Sequence, residues 1–322
     1  MLRRVFGWLA LVAGLLAIVY LLVRTPDVPA DEARSKYGNA QSQMVQISPG
    51  FAVHVRDEGA GPALLLIHGS NASLHTWEPW VALLKDRYRI ITLDLQGHGL
   101  TGPSPKRCYT RECMVATVEA VRAKLGIERM AIGGNSMGGA VSWAYALAHP
   151  ERVSALILVD SAGAQVKADR PPPIGFRILQ VPGVRTLAET ITPRSLIESS
   201  LLQSVSVTSA ASEEKVTRYW ELLRYPGNRR ATLDRSEAPR TPVSLETFAP
   251  LREMPTLILW GREDRLFPPA AAEWFQRALP NAQLIIYDRV GHLPQEEAPQ
   301  QTARDVDAFL ARILPPAQPP AS

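Results

Sequence analysis

The stretch Ala131 to Ala140 sets the tightest limit on how this chain can fold. An apolar run, Met130 to Ile132, stops abruptly, and a helix-like stretch, Ala140 to Ala148, begins almost at once. Between them lies Gly134-Asn135-Ser136-Met137-Gly138. A strand that turns into a helix this quickly needs small residues two positions either side of Ser136, because a Cβ there would strike the neighbouring backbone. Such a turn holds the serine in a strained conformation with its hydroxyl exposed. The helix start that follows aims free N–H groups and a positive dipole end at the same place.

The surroundings of this turn repeat one pattern. Ala63 to Ile67, Arg89 to Leu95, Arg129 to Gly133 and Val153 to Val159 are apolar runs of the kind that form central parallel strands buried on both faces. Helical stretches alternate with them, including Leu74 to Leu84 and Thr110 to Leu125, the latter stopped by Gly126. This alternation predicts a parallel α/β sheet with right-handed crossovers. Upstream, Met44 to Ile47 and Phe51 to Glu58 alternate like two strands joined at Pro49-Gly50, with His54 on the exposed side of the second. The pattern breaks over Ala164 to Ala249, where Pro171-Pro172-Pro173 and helix starts at Thr192-Pro193 and Ser212-Glu213-Glu214 predict a helical insertion over the sheet's C-terminal edge. It resumes with strands at Thr256 to Trp260 and Gln283 to Tyr287, a helix from Pro269, and a closing helix ending near Ile313.

At the other end, Arg3 and Arg4 precede an uncharged run from Val5 to Val23. At about 1.5 Å per residue this run spans a hydrocarbon core of roughly 30 Å. Val28-Pro29-Ala30 is a poor cleavage site because of its proline, which favours an uncleaved anchor over a signal peptide. The expected organisation is an anchor over residues 1–24, an extended linker over 25–42, a core over 43–163 and 251–314, a helical cap over 164–250, and a disordered Pro-rich tail over 315–322. By analogy with signal anchors the body is expected outside the cytoplasm, on the periplasmic face in a bacterium. With 46% hydrophobic residues the chain can bury a large core, and its net charge of +4 comes without basic runs interleaved with aromatics, so a nucleic-acid role has no support. Cys108 and Cys113 are too few for a disulfide framework; their spacing permits either a small loop bridge or two free thiols.

In an open parallel sheet the loops leaving the strands' carboxyl ends converge on one crevice. Three such loops carry Ser136, Asp264 and His292, in that chain order. A serine hydroxyl needs a base to take its proton, which His292 can be, and the imidazole needs a carboxylate to fix its tautomer, which Asp264 can be. The oxyanion needs two N–H donors, offered by the backbone of Met137 and, after His68-Gly69, of Ser70. Asp160, which also ends a strand, and Glu263 are the rival acids. His68 and His98 read as loop-bracing residues, and a metal reading of His68, Asp94 and His98 lacks close ligand spacing.

Over Met44 to Leu314 the chain resembles the α/β-hydrolase superfamily. The likeness rests on His68-Gly69, Asp94-Leu95-Gln96-Gly97-His98-Gly99, Gly134-Asn135-Ser136-Met137-Gly138-Gly139, Gly261-Arg262-Glu263-Asp264 and Gly291-His292. It implies an α/β fold with an eight-stranded, mostly parallel sheet, helices on both faces, a cap after the sixth strand and no cofactor. It also implies Ser136 as nucleophile, Asp264 as acid, His292 as base, and Ser70 and Met137 as oxyanion donors. Epoxide hydrolases and haloalkane dehalogenases carry Asp where this chain has Ser136. The elbow is similar to that of hydrolases that cleave carbon–carbon bonds in meta-cleavage products. Those usually carry a glycine-rich segment with a proline after His-Gly, where this chain reads Ser70-Asn71-Ala72-Ser73. The anchor, the Trp77 loop and Gly97 to Gly102 look closer to membrane-associated bacterial esterases and lipases. The resulting expectation is a membrane-anchored serine hydrolase that cleaves small-molecule carboxylic esters through an acyl-enzyme on Ser136, with an apolar acyl pocket including Leu196, Leu201 and Leu202. A carbon–carbon hydrolase and a non-catalytic binding protein on the same fold are the alternatives.

Overall fold

The computed structural model describes residues 2–167, 171–178, 181, 187–239 and 241–314; the expected tail lies outside them. Eight strands form one sheet: β1 Ser42–Ser48, β2 Phe51–Glu58, β3 Ala63–Ile67, β4 Arg89–Leu93, β5 Met130–Asn135, β6 Val153–Val159, β7 Thr256–Gly261 and β8 Gln283–Tyr287. Their spatial order is β1-β2-β4-β3-β5-β6-β7-β8. β2 runs antiparallel to β1 and β4, and every other pairing is parallel. This is the α/β architecture expected from the alternation of apolar runs and helices.

Strands β5, β6 and β7 are buried along their whole length, so successive side chains feed two cores. Leu65, Ile91, Ile132, Leu158 and Trp260 face one side, packed beneath Met114 and Val118 of α4 (Arg111–Lys124) and Val141 and Trp143 of α5 (Met137–Ala148). Leu64, Leu66, Ile90, Ile157 and Leu259 face the other, covered by Trp80 of α3 (Glu78–Leu84) and by Val306, Phe309 and Leu310 of the closing helix Pro299–Ile313. Each such side chain contributes about 1.5–3 kcal/mol by leaving water.

The helix Leu2–Val23 (α1) stands apart, with its apolar side chains from Phe6 to Val23 exposed. Among the described residues it is the one helix long and apolar enough to cross a membrane. The segment after it is not extended, contrary to expectation. It turns into a second helix, α2 (Ala30–Tyr37), and lies against the helices inserted after β6. Val28 and Ala33 bury themselves against Leu100, Leu222 and Tyr225. Val28 N–H donates to Arg224 O at 2.9 Å, Lys36 pairs with Glu221 at 2.6 Å and Arg229 with Asp27 at 2.6 Å. Pro26 and Pro29 keep the chain from helix until Ala30; beyond that, burial of Ala33 holds a helix too short to stand alone.

The inserted region includes the helices Ile174–Ile178, Arg194–Ser204, Glu213–Leu223 and Asn228–Glu237. Ser212 caps the third, its hydroxyl accepting Lys215 N–H at 3.3 Å. Cys108 and Cys113 are joined in a disulfide at the start of α4. The loop it closes is short, so the entropic model gives it about 2 kcal/mol. Mild reduction is expected to lower the melting temperature by a few degrees and leave a folded protein, which differential scanning calorimetry with and without reductant measures.

Candidate active site

Ser136 follows β5 with φ 55° and ψ −118°, a positive-φ conformation that a non-glycine residue adopts only under constraint. The constraint is visible in its neighbours. A Cβ on Gly134 would sit 2.3 Å from Gly138 C, and one on Gly138 would sit 2.0 Å from Ile67 O. Glycine at both positions is therefore what lets β3, β5 and the start of α5 close on one another. Ser136 N–H donates to Val159 O at 3.0 Å, which pins the turn to β6.

The Asp264 and His292 side chains, from the loops after β7 and β8, meet: His292 Nδ1 lies 2.7 Å from Asp264 Oδ2, and both residues are buried. Asp264 Oδ1 accepts N–H bonds from Leu266 at 2.7 Å and Phe267 at 3.1 Å. His292 Nδ1 is thereby the donor side of the ring, which leaves Nε2 as the basic nitrogen. Among the described residues no hydrogen bond joins the Ser136 hydroxyl to that ring. A side-chain link joins the two loops instead: Asn135 Nδ2 donates to Val159 O at 3.2 Å and to His292 O at 3.0 Å, fastening the elbow to the histidine loop.

A residue that the sequence did not assign to the site fixes that loop from the other side. Glu297, in the short helix Pro294–Glu297, accepts backbone N–H bonds from Gly291, Leu293, Ser206 and Val207 at 2.7–3.1 Å. His292 N–H donates to Ser204 O at 2.8 Å, so the inserted helices and the histidine loop share one anchor. Glu297→Gln keeps the shape but halves the acceptor capacity. It is expected to lower kcat roughly ten- to a hundredfold with a smaller change in KM, because small displacements of a catalytic group cost about that much. Steady-state kinetics on the purified variant measure it.

The Ser70 loop is set by buried histidines. His68 Nδ1 lies 2.7 Å from Gly69 O, and Leu95 N–H donates to His68 Nε2 at 3.1 Å, which fixes a neutral ring with its proton on Nδ1. With the Gly69 carbonyl held by His68, the Ser70 N–H on the same trans peptide points the opposite way. Gly69 packs directly against the elbow, since a Cβ there would lie 3.3 Å from Ser136 Cβ. Among the described residues neither the Ser70 nor the Met137 backbone N–H makes a hydrogen bond, so both are available to an oxyanion. Ser70 Oγ and Asn71 Oδ1 in turn accept from Arg235 Nη2 at 3.1 and 2.6 Å.

His54 is not exposed, as its strand position suggested; it is 1% accessible. Its Nδ1 lies 2.7 Å from Asp94 Oδ2 and its Nε2 2.9 Å from Ser42 Oγ. The alternation of β2 is local, whereas Asp94 and Thr101, which hold His54, lie 40 and 47 residues further along the chain. Asp94 also accepts N–H bonds from Leu74 at 2.8 Å and Leu100 at 2.9 Å. Burial would raise its carboxyl, but the His54 hydrogen bond and the imidazoles of His54, His68 and His75 outweigh that and hold it well below the usual carboxylate range. His98 Nδ1 lies 3.0 Å from Gln96 O, so His68, Asp94 and His98 all serve as loop braces.

His75 is pushed down to about 4, chiefly by burial, with Arg56 and Arg218 adding to the effect against Asp94. Burial lowers His68 and His98 as well. A histidine lowered on folding binds fewer protons folded than unfolded, so its contribution is complete above pH 6.5 and is lost as pH falls toward 4. His75 alone then costs up to roughly 3 kcal/mol across that window. The melting temperature is expected to fall steadily between pH 7 and pH 5, as a calorimetric pH series would record.

Above the Ser70 loop the inserted helices enclose a cavity of about 550 Å³. Ser70 and Asn71 form its floor, and Ile178, Ile191, Leu196, Leu201, Leu223 and Leu233 are among its walls. Leu202, expected beside Leu196 and Leu201, points outward instead and is 39% exposed. Helical periodicity explains the miss, since consecutive residues face different sides.

A family model described as the alpha/beta hydrolase fold matches residues 62–299. The 2-hydroxymuconate semialdehyde hydrolase of Pseudomonas sp. strain CF600 is 31% identical over 284 residues, covering 82% of this chain and 92% of the relative. The solved meta-cleavage product hydrolase of Pseudomonas fluorescens IP01 superposes with a TM-score of 0.71 at 25% identity, covering 85% of this chain and 99% of that one. A solved structure described as a membrane phospholipase A, a bacterial virulence factor, superposes with a TM-score of 0.69 at 25% identity and covers 97% of this chain and 99% of its own. With the sheet order, the glycine-flanked serine and these likenesses in agreement, the chain belongs to the α/β hydrolase fold family and is a hydrolase.

Proposed function

We propose that this protein is a membrane-anchored serine hydrolase that cleaves acyl esters with apolar chains. One observation carries the reading: the wall of the cavity is hydrogen-bonded to the first residues after the apolar helix. Thr25 N–H donates to Thr190 O at 2.7 Å, Thr192 N–H to Thr25 Oγ1 at 2.8 Å, and Arg229 Nη1 to Thr25 O at 2.7 Å. Thr192 and Arg229 line the cavity. Val23, the last residue of the membrane-length helix, is two residues from Thr25, a reach of about 7 Å. An apolar cavity held this close to a bilayer suits a substrate that resides in one. The membrane phospholipase neighbour supports this: it covers 97% of this chain, against 82–85% for the meta-cleavage product hydrolases.

In this reading His292 takes the Ser136 proton as the oxygen attacks the ester carbonyl. The Ser70 and Met137 N–H groups hold the oxyanion, and His292 returns the proton to the leaving alcohol. Water, activated by the same imidazole, then releases the acid. Asp264 orients the ring throughout. The Cys108–Cys113 disulfide supports a body in an oxidising compartment outside the cytoplasm.

A second reading is carbon–carbon hydrolysis of meta-cleavage products, which the names of the curated relatives and several solved neighbours favour more than they favour esters. Full-length protein in detergent, offered aryl esters of rising chain length, phospholipid vesicles and a vinylogous diketone acid, separates the two. Faster turnover of long-chain esters supports the first reading; turnover of the diketone above all esters replaces it with the second. Removing residues 1–23 is expected to leave hydrolysis of a soluble short ester unchanged and to lower hydrolysis of vesicle lipid at least tenfold.

A further inference from the structure

Asp160 follows β6 at φ 41°, fully buried, in a place that the Ser136, Asp264 and His292 chemistry does not use. One of its oxygens, one Asp264 oxygen and one His292 ring nitrogen lie within 4.8 Å of one another. The two carboxyls are unequally served. Asp264 accepts two backbone N–H bonds on Oδ1 and faces His292 Nδ1 with Oδ2. Asp160 Oδ1 accepts a single bond, from Gly261 N–H at 3.0 Å, and Oδ2 is buried with no donor among the described residues. Two buried carboxylates so close cannot both stay ionised, and the one with fewer donors keeps the proton.

We propose that Asp160 is a neutral carboxylic acid whose O–H, at Oδ2, hydrogen-bonds the Asp264 carboxylate. The acid member of the site is then a proton-sharing pair, with Asp160 as a positioning residue acting through Asp264. The acidic neighbours of Asp160 oppose its ionisation, against the single Gly261 N–H bond that favours it. Glu297 from the helix after His292 and the Asp264 carboxylate both oppose a second negative charge, and Tyr287 from β8 is a neutral neighbour. Burial first, then the charge and hydrogen bond of Asp264, hold the Asp160 carboxyl well above its ordinary range. The O–H gives Asp264 a further donor, which fixes the plane of the carboxylate and so the direction in which it holds the imidazole. The pair serves ester and carbon–carbon chemistry alike. It rests on the Ser136–His292–Asp264 reading, which activity of Ser136→Ala tests separately.

Three measurements test the pair. Infrared difference spectra of wild type against Asp160→Asn at pH 7 are expected to show the carbonyl band of a protonated carboxylic acid in the wild type; this readout needs no turnover. An amide at 160 keeps the shape and a donor, so Asp160→Asn is expected to retain kcat/KM within about threefold. Asp160→Ala is expected to lose about tenfold and to shift the acid limb of the kcat/KM profile to higher pH, because Asp264 has lost a donor. Absence of the infrared band, or an Asp160→Asn variant as damaged as Asp264→Asn, would mean that Asp160 is ionised and would overturn the proposal. So would an Asp160→Ala variant, folded by calorimetry, with an unshifted profile.

Discussion

Ser136→Ala leaves a folded protein whose turnover of its best substrate is lower by roughly three orders of magnitude or more, the scale of nucleophile removal in serine hydrolases. Alanine removes only the hydroxyl, and the strain of the turn remains because Gly134 and Gly138 still permit it. The melting temperature is accordingly expected to match the wild type or rise slightly. An organophosphonate probe is expected to label the wild type at residue 136 and to leave the variant unlabelled, as intact-mass spectrometry reads directly. Equal turnover in both proteins would remove Ser136 from the chemistry, and with it the acyl-enzyme reading.

The largest effect on stability is expected at Asp94. Asp94→Leu strands three buried donors at once, the Nδ1–H of His54 and the N–H groups of Leu74 and Leu100. Breaking a buried charged hub of this kind costs about 3–5 kcal/mol. Gly99 packs against the same carboxylate, since a Cβ there would lie 2.0 Å from Asp94 Oδ2. Because folding lowers the Asp94 carboxyl, its contribution is present above the unfolded value near 3.9 and is lost as pH falls through the lower folded value. The variant is therefore expected to unfold earlier in urea at neutral pH and to show a shallower loss of stability in acid. Chemical denaturation at pH 7 checks the first, and a series from about pH 4 down to about pH 2 checks the second. Loss of activity is expected to accompany loss of stability, since Leu74 closes the loop that carries Ser70.

Much of this was legible from local chemistry. The runs that form β3 to β7 are mostly apolar because both of their faces meet helices. The glycines around Ser136 announce a crowded turn because a Cβ clash is settled within five residues of chain. The helix starts at Ser212 and Thr110 show themselves by side chains that cap their own backbone.

What stayed hidden depends on partners far away in sequence. His54 read as exposed because the groups that cover it lie elsewhere in the chain. The segment after the apolar helix read as extended because its partner for Thr25 is Thr190, 165 residues on. Asn135 meets His292 across 157 residues, and Thr76 meets Glu296 across 220.

The residues alone determined the sheet, the elbow and the three loops that could share a crevice, since propensity and sterics act over a few bonds. Only the tertiary structure decided that Asp264 faces the imidazole while Asp160 sits behind it. It alone decided that Glu297 fastens the histidine loop and that the cavity hangs beside the apolar helix. Those outcomes follow from long-range burial and hydrogen bonding, which no short stretch of sequence encodes.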